Sequence, residues 1–308
     1  GAPAPQPGVM VCNGTLCPTG GAAQNPAQGQ RWAGAANLPV NMTGQPVRYA
    51  DGVNIIAVTD IAADGFGGVW GQARSWSNDP SYTVGSTQGN GWAVAQQPRL
   101  SRSGASLVLV TNAVTARYFD GQGTPDADGN YPTYTPRFTE TQPVTYDATA
   151  DEFAVPDGAG GVLRFLGFGA SHPPAGWGTL DSWTAAGGEV MSVVSRDTAG
   201  RATEVQRAAT VGGVTVTESY QYGYVTDPGL NYGLLASVVL RRQVGSGGWA
   251  TVREADYTYY DGTTGNGNQG DLERAVVTDG AAAVLDETYY RYYTATTTAG
   301  GVQIGYQG

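Results

Sequence analysis

The chain has 308 residues, with 47 Gly, 18 Tyr, 16 basic residues that are all Arg, and 26 acidic residues, for a net charge of −10. This acidic balance argues against binding to nucleic acid phosphates, and the absence of Lys excludes a P-loop lysine, a Schiff base and a lysine isopeptide cross-link. No run approaches the ~20 apolar residues of a membrane-spanning helix. The Gly, Tyr, Thr and Val content favours strands joined by tight turns and predicts an all-β fold of antiparallel hairpins.

Residues 1–30 are rich in Pro, Gly, Ala and Gln, and we expect an irregular N-terminal arm. Cys12 and Cys17 lie close enough in sequence to close a small disulfide loop, which implies an oxidising compartment; two free thiols are the alternative. Asn13 and Asn41 begin glycosylation acceptor patterns. The chain does not start with a basic and then apolar leader, so an extracellular or cell-surface location is inferred from composition.

Residues 31–175 form a β-rich opening region in this interpretation. Strands are predicted at 53–60, 69–77, 92–100 and 105–112, with Gly or Asp-Gly turns between them, a pattern typical of meandering antiparallel sheet. Five prolines between residues 121 and 160 predict loop or edge structure there, because proline cannot donate to a strand ladder. We place the internal boundary near residues 172–178, and residues 176–308 are predicted to form β-hairpin repeats.

A tyrosine pair recurs at intervals of 37 (257 minus 220) and 33 (290 minus 257) residues, which predicts stacked hairpin units. The pairs are Tyr220 and Tyr222, Tyr257 and Tyr259, and Tyr290 and Tyr292. Alternate residues share one face of a strand, so we expect this ladder to be buried with neighbouring rings side by side and hydroxyls directed outward. We expect Trp70, Trp76 and Trp92 to be buried between strands as well. An aromatic platform for sugars is the alternative.

Candidate chemistry is sparse. The only histidine, His172, lies in a His-Pro-Pro loop that we expect to be exposed, and no Gly-x-Ser-x-Gly elbow accompanies it. Asp147, Asp151 and Glu152 could supply a carboxylate pair for glycoside hydrolysis, but nothing in the sequence sets two of them across a cleft. We therefore predict a protein that is not an enzyme.

Two segments carry oxygen ligands at alternate positions. Asp126, Asp128 and Asn130 could wrap a calcium ion, and an ordinary Asp-Gly turn is the alternative. Asn266, Asn268 and Asp271 form a weaker set of the same kind. Calcium is the one cofactor that the sequence suggests.

Three phrases in order carry a resemblance to a known family. They are Asn37–Gly44, the Arg74-Ser75-Trp76 phrase with the later Gly89-Asn90-Gly91-Trp92, and the hairpin phrase Asp197-Thr198-Ala199-Gly200-Arg201. Over residues 37–294 the chain resembles the N-terminal part of the repeat region of the Rhs/YD-repeat family, which includes bacterial Rhs toxins, shell proteins of toxin complexes, and teneurins. The Tyr that usually precedes the hairpin Asp is Arg196 here.

The resemblance implies a long β-sheet wound into a hollow shell that encloses or presents other domains, with partners in the rest of a longer chain or in further copies. Asp227-Pro228 is similar to part of the family's self-cleavage segment, but its surroundings differ and we interpret it as a turn. Two other functions stay open. One is a self-assembling filament or cell-envelope subunit joined by strand addition of the arm, and the other is a glycan-binding adhesin.

Overall fold

The computed structural model describes residues 54–63, 70–78, 86–113, 115–138 and 140–292. These residues form eighteen strands in two antiparallel sheets of three and fifteen strands, so the all-β prediction is confirmed. In this part of the chain no helix is long and apolar enough to span a bilayer. The N-terminal arm, with Cys12, Cys17, Asn13 and Asn41, lies outside the described residues.

The small sheet has the order β1-β2-β3, and the large sheet runs from β4 to β18 with every strand beside its neighbours in sequence. The small sheet comprises β1 Ile55–Ala63, β2 Trp70–Ser77 and β3 Trp92–Val94. The first strands of the large sheet are β4 Arg99–Ser103, β5 Ser106–Val110, β6 Ala116–Gln122, β7 Thr133–Pro136, β8 Val144–Asp147, β9 Glu152–Pro156 and β10 Val162–Leu166. The remaining strands are β11 Leu180–Thr184, β12 Val190–Arg196, β13 Ala202–Val211, β14 Val214–Tyr224, β15 Leu235–Val244, β16 Ala250–Tyr259, β17 Leu272–Asp279 and β18 Val284–Tyr289.

The large sheet starts as a closed roll. The N–H of Leu100 in β4 donates to the Gly178 carbonyl at 2.8 Å, and the N–H of Gly178 donates to the Leu166 carbonyl of β10 at 3.0 Å. The first and seventh strands of the sheet are thus joined through the chain that leads into β11. Leu107, Phe119, Phe153 and other fully buried side chains fill the interior.

The prediction of loop or edge structure for residues 121–160 is wrong where β7, β8 and β9 form, because these three strands lie inside the sheet. The strands β7, β8 and β9 lie within the order of the large sheet, between β6 and β10. These strands are only four or five residues long, and Pro136 and Pro156 end β7 and β9. A proline at a strand end costs at most one ladder hydrogen bond, which explains why the sheet tolerates both.

A five-residue hairpin turn explains the Asp197–Arg201 phrase. The Asp197 N–H donates to the Arg201 carbonyl at 2.9 Å, and Asp197 Oδ1 accepts the N–H groups of Ala199 and Arg201. Gly200 takes the left-handed conformation with φ 96°, as the fourth position of such a turn requires. The same side-chain capping by the first Asp recurs at residues 126–130, 157–161 and 279–283.

The repeat unit consists of one tyrosine strand and one aliphatic strand. Tyr220 of β14 stands opposite Leu240 of β15, and Tyr257 of β16 stands opposite Ala275 of β17. Successive tyrosine strands are therefore two strand spacings apart, about 9.6 Å. Our expectation that rings of neighbouring units pack side by side is wrong, because an aliphatic strand separates them.

Candidate functional site: the seam between the two sheets

The small sheet covers the tyrosine face of the large sheet. Alternate residues of β2 point to one side of that strand, and Trp70, Gln72, Arg74 and Trp76 are all buried. Trp92 of β3 is fully buried with them. The three tryptophans belong to one continuous apolar cluster with the tyrosine ladder, and we call this interface, with the polar side chains buried in it, the seam.

The first tyrosine of each pair bonds directly to the small sheet. The Tyr220 hydroxyl donates to the Trp70 carbonyl at 3.2 Å, and the Tyr257 hydroxyl donates to Asp60 Oδ2 at 2.6 Å. Tyr290 accepts a hydrogen bond from Arg74 Nη2 at 3.2 Å. The hydroxyls thus point into the seam rather than outward, which corrects the second part of the ladder prediction.

The second tyrosine of each pair is packed in the same region. Tyr292 accepts a hydrogen bond from Trp92 Nε1 at 3.3 Å, and its ring lies 5.8 Å from that of Trp76. The Tyr259 hydroxyl donates to the Leu235 carbonyl at 2.7 Å. Burial raises the pKa of Tyr222 to about 12. Five of the six ladder rings are buried and Tyr259 is partly buried, an arrangement unlike an exposed aromatic platform.

A buried ion pair lies at the centre of the seam. Arg74 Nη2 donates to Asp60 Oδ1 at 2.8 Å, a second bond joins Arg74 Nε to Asp60 Oδ2, and each side chain is 2% exposed. The register shift between Thr59 and Ile61 leaves Asp60 as the extra residue of a β-bulge, and bulges commonly redirect a side chain.

Aromatic rings enclose the Arg74 guanidinium. Its Cζ lies 4.5 Å from the Trp92 ring centroid, 5.1 Å from that of Tyr257 and 5.7 Å from that of Tyr290. Burial lowers the pKa of Arg74, but the hydrogen bonds and charge of Asp60 outweigh this effect and raise the pKa overall. A cation held by a carboxylate and by ring faces is stabilised without water.

Sequence reasoning missed both members of this pair. Asp60 is the only charged residue of β1, in the otherwise apolar and Thr-containing stretch Ile55–Ala63. A lone carboxylate in such a strand is a signal that a buried partner exists, since unpaired buried charges are costly. In the sequence, Arg74 stands out only as part of the Arg74-Ser75-Trp76 phrase.

A second buried ionic group joins β13, β14 and β15 to the end of β1. Glu218 has a fully buried side chain and contacts Arg207 at 2.8 Å and Arg242 at 2.5 Å. Arg207 Nη2 also donates to the Ala63 carbonyl at 2.9 Å. The small sheet is therefore attached by charged groups at two separate points.

The predicted calcium ligands lie in one of the recurrent turns. Asp126 Oδ1 accepts the N–H groups of Asp128 and Asn130 at 3.0 and 2.8 Å. The Arg102 guanidinium donates to Asn130 Oδ1 and to the Asp128 carbonyl. Among the described residues, no three His, Cys, Asp or Glu side chains converge as metal ligands would. Calcium binding at this turn stays a prediction.

The weaker set of candidate calcium ligands, Asn266, Asn268 and Asp271, makes hydrogen bonds between loops. Asp271 accepts hydrogen bonds from the Asn268 N–H at 2.7 Å and from Asn90 Nδ2 at 3.0 Å. The carbonyl of Asn266 accepts the Tyr292 N–H at 2.7 Å. Burial raises the pKa of Asp271. These contacts fix the loop between β16 and β17 against the segment before β3.

The candidate catalytic groups gather around Asp151. Tyr146 donates to Asp151 Oδ1 at 2.8 Å, the Ser171 hydroxyl donates to Oδ2, and His172 Nε2 lies 3.2 Å from the Asp151 carbonyl oxygen. His172 is thus half-buried against Asp151, which corrects the expectation of an exposed loop histidine. Burial and the hydrogen bond to Asp151 raise the pKa of Tyr146.

The other two candidate carboxylates have separate structural roles. Asp147 accepts the N–H groups of Thr149 and Ala150 in its own turn. Glu152 lies 3.9 Å from Arg164, and burial raises its pKa. The three carboxylates considered for glycoside hydrolysis therefore each have local partners.

No family model and no curated protein sequence matches the chain. Among solved structures, the chain is similar to one from the Tc holotoxin pore of Photorhabdus luminescens, with a TM-score of 0.48 and 11% sequence identity. The match covers 78% of this chain and 16% of that one, so the chain spans about a sixth of that protein's length. A likeness at this level carries no argument about function.

Proposed function

We propose that the chain is a non-catalytic scaffold of a secreted or surface protein, a segment of β-wall that encloses or presents other domains. The observation that carries the proposal is the single sheet of fifteen strands in strict chain order, closed at one end and open at the other. A sheet of this kind grows by adding hairpins and needs no ligand to hold it together.

The two ends of the large sheet differ. At the first end, Gly178 and Thr179 cover the edge of β4. At the other end, no strand of the described residues pairs with the outer edge of β18, where Val284, Leu285 and Tyr289 are 61%, 50% and 60% exposed. An open edge with apolar side chains is a template for a further strand. This supports a wall that continues beyond β18.

Backbone hydrogen exchange of β18 tests the proposal. We expect the amide protons of Val284–Tyr289 to exchange much more slowly in the natural protein than in a variant that ends at residue 292, because a following strand would pair with the free edge. The amides of β5 and β6 serve as the internal control, and their exchange should be equal in both proteins. Equal and fast exchange of β18 in both would contradict a continuing wall.

The same open edge favours a second function, a filament subunit in which the arm of another copy adds a strand to β18. Deleting residues 1–30 and imaging the product by electron microscopy separates the two. Loss of assembly on deletion supports the filament, whereas assembly that persists without the arm excludes it. If the chain stays monomeric both with and without the arm, the result supports the β-wall over the filament.

A further inference from the structure

A partly enclosed cavity of about 160 Å³ lies between the roll, the small sheet and the strands that follow the roll. Its walls come mainly from residues 86–101, which include β3 and β4, from strands β12 to β14, and from the loop that leads into β11. Neither Arg74 nor Asp60 borders it, so the cavity is separate from the buried ion pair of the seam. Junctions between packed units are preferred places for small ligands.

The charged side chains that border the cavity are both cations. Arg99 and Arg201 line it, and no Asp or Glu among the described residues does. Arg201 Nε donates to Asp197 Oδ2 at 2.7 Å, so its charge is already balanced. Burial lowers the pKa of Arg99, which means that desolvation of its charged form outweighs the contacts that this guanidinium makes. A negative charge in the cavity would offset that desolvation.

A row of glutamine side chains fixes a hydrogen-bond donor beside the same cavity. Gln72 Nε2 donates to Gln88 Oε1 at 3.4 Å, and Gln88 Nε2 donates to Gln97 Oε1 at 3.1 Å. Because Gln97 Oε1 is turned toward Gln88, the Gln97 Nε2 atom is directed elsewhere. This atom is buried without a hydrogen-bond partner among the described residues, and Gln97 lines the cavity. A buried N–H without an acceptor is costly, and a ligand oxygen would satisfy it.

Much of the remaining wall is apolar. Val94, Val110, Leu180 and Val205 border the cavity, and each is at most 7% exposed. An apolar protein cavity of about 150 Å³ holds benzene. A cavity of about 160 Å³ therefore accommodates a molecule with one ring and a small substituent. The walls thus match a ligand with an apolar body and one negatively charged end.

We propose that the cavity binds a small organic carboxylate whose apolar body is about the size of one ring. In this proposal the carboxylate accepts hydrogen bonds from the Arg99 guanidinium and from Gln97 Nε2, and the apolar body contacts Val94 and Val205. A carboxylate suits a guanidinium because its two oxygens match two parallel N–H groups. A nucleotide or another polyanion is too large for this volume and is repelled by the net charge of −10.

Isothermal titration calorimetry with benzoate tests the proposal, with benzamide as a neutral probe of the same shape. We expect benzoate to bind about tenfold or more tightly than benzamide, because only benzoate offers a charged acceptor. Arg99→Gln should remove this difference and leave the weaker binding of benzamide unchanged, whereas a purely structural role of Arg99 would weaken both probes alike. Arg102→Gln is the matched control, since Arg102 lies on the same strand β4 but does not border the cavity.

Two further variants keep the test decisive if Arg99→Gln does not fold, which circular dichroism checks. Gln97→Met keeps the length of the side chain but removes its donor, so benzoate affinity should fall by about tenfold. Val193→Phe fills the cavity and should abolish binding of both probes, because Val193 is part of the wall.

Three results would overturn the proposal. The first is no binding of benzoate at millimolar concentration, and the second is equal affinity of the wild-type chain for benzoate and benzamide. The third is benzoate binding that is unchanged in Val193→Phe, since the ligand would then occupy another place.

Discussion

The roll of β4–β10 and the tyrosine half of β14–β18 bury their side chains in different ways. The roll encloses its own interior, where Leu107, Phe119 and Phe153 are 0% exposed. The tyrosine half does not close on itself, and its inner face is covered by the three-stranded small sheet through the seam. The roll thus packs largely on its own strands and meets the small sheet at Ala113, whereas the tyrosine half depends for its cover on a segment from a distant part of the sequence.

The largest expected effect is unfolding of the tyrosine half at alkaline pH. Burial raises the pKa of Tyr222 to about 12 and also raises the pKa of Tyr220, Tyr257, Tyr259 and Tyr292, whereas an unfolded tyrosine ionises near 10. Because the folded pKa values lie above the unfolded one, the stabilisation is fully present below pH 10 and is lost as the pH rises toward 12 and beyond.

Absorbance of ionised tyrosine and circular dichroism, recorded together against pH, check this expectation. Tyrosine ionisation and loss of the β signal should coincide, and Tyr222→Phe should make the alkaline loss shallower. Ladder tyrosines that ionise near pH 10 with the fold intact would contradict burial in the seam.

The next largest effect concerns the buried ion pair. Arg74→Leu leaves Asp60 buried without its partner and should lower the free energy of unfolding by about 3–5 kcal/mol in chemical denaturation. The double variant Arg74→Leu with Asp60→Leu should recover most of that loss, because no uncompensated charge remains.

Arg137 and Asp120 of the roll provide the matched control. They form a partly exposed pair at 2.5 Å, with side chains 24% and 39% exposed. Removing it should cost about 1 kcal/mol or less. An equal decrease in the free energy of unfolding for the two pairs would contradict burial of the Arg74–Asp60 pair in the seam.

Closure of the roll can be broken at one glycine. Gly178 has φ 65°, and a Cβ there would lie 2.1 Å from the Leu100 carbonyl oxygen. Gly178→Ala should therefore destabilise the chain by about 2–4 kcal/mol through strain and the lost β4 contact. Gly104 has a similar φ of 58° with no heavy atom within 4 Å of its Cβ position, so Gly104→Ala isolates the strain alone. Indistinguishable melting curves for the two variants would argue against closure at Gly178.

A smaller effect is expected from one hydroxyl of the ladder. Tyr257→Phe removes the 2.6 Å hydrogen bond to Asp60 and should cost about 1.5–2 kcal/mol, because the acceptor is a buried carboxylate. Tyr289→Phe is the control, since Tyr289 is 60% exposed and bonds to the exposed Glu287. Thermal melts of both variants measure the two stability losses. A loss in Tyr257→Phe no larger than that in Tyr289→Phe would contradict a buried hydrogen bond between Tyr257 and Asp60.

The smallest effect is a gain. Ala282 occupies the position of the recurrent turn that Gly200 and Gly129 occupy elsewhere, and it has φ 62°. Ala282→Gly should raise the free energy of unfolding by about 0.5–1 kcal/mol, because it relieves left-handed strain at an alanine. The reverse change, Gly200→Ala, should lower stability by a similar amount or more. A loss of stability in Ala282→Gly would contradict the turn assignment.

Local patterns predicted local structure in this chain. The Asp197–Gly200 phrase predicted its turn, and the alternating tyrosines predicted strands with one buried face. The partner of that face could not be predicted, since Asp60 and Tyr257 are 197 residues apart and Arg74 and Tyr290 are 216 apart. No periodicity links such positions. The prolines of β7 and β9 led to a wrong prediction of loop or edge structure for a related reason. Whether a strand end tolerates proline depends on the sheet around it, which the local sequence does not reveal.

The small sheet covers the inner face of the tyrosine half, whereas it meets the roll at Ala113. Native-state hydrogen exchange of the wild-type chain and of Arg74→Leu tests this directly. We predict faster exchange in β14, β16 and residues 290–292, with the rates in β5–β9 unchanged. Acceleration spread evenly over both regions, or confined to the roll, would contradict the account.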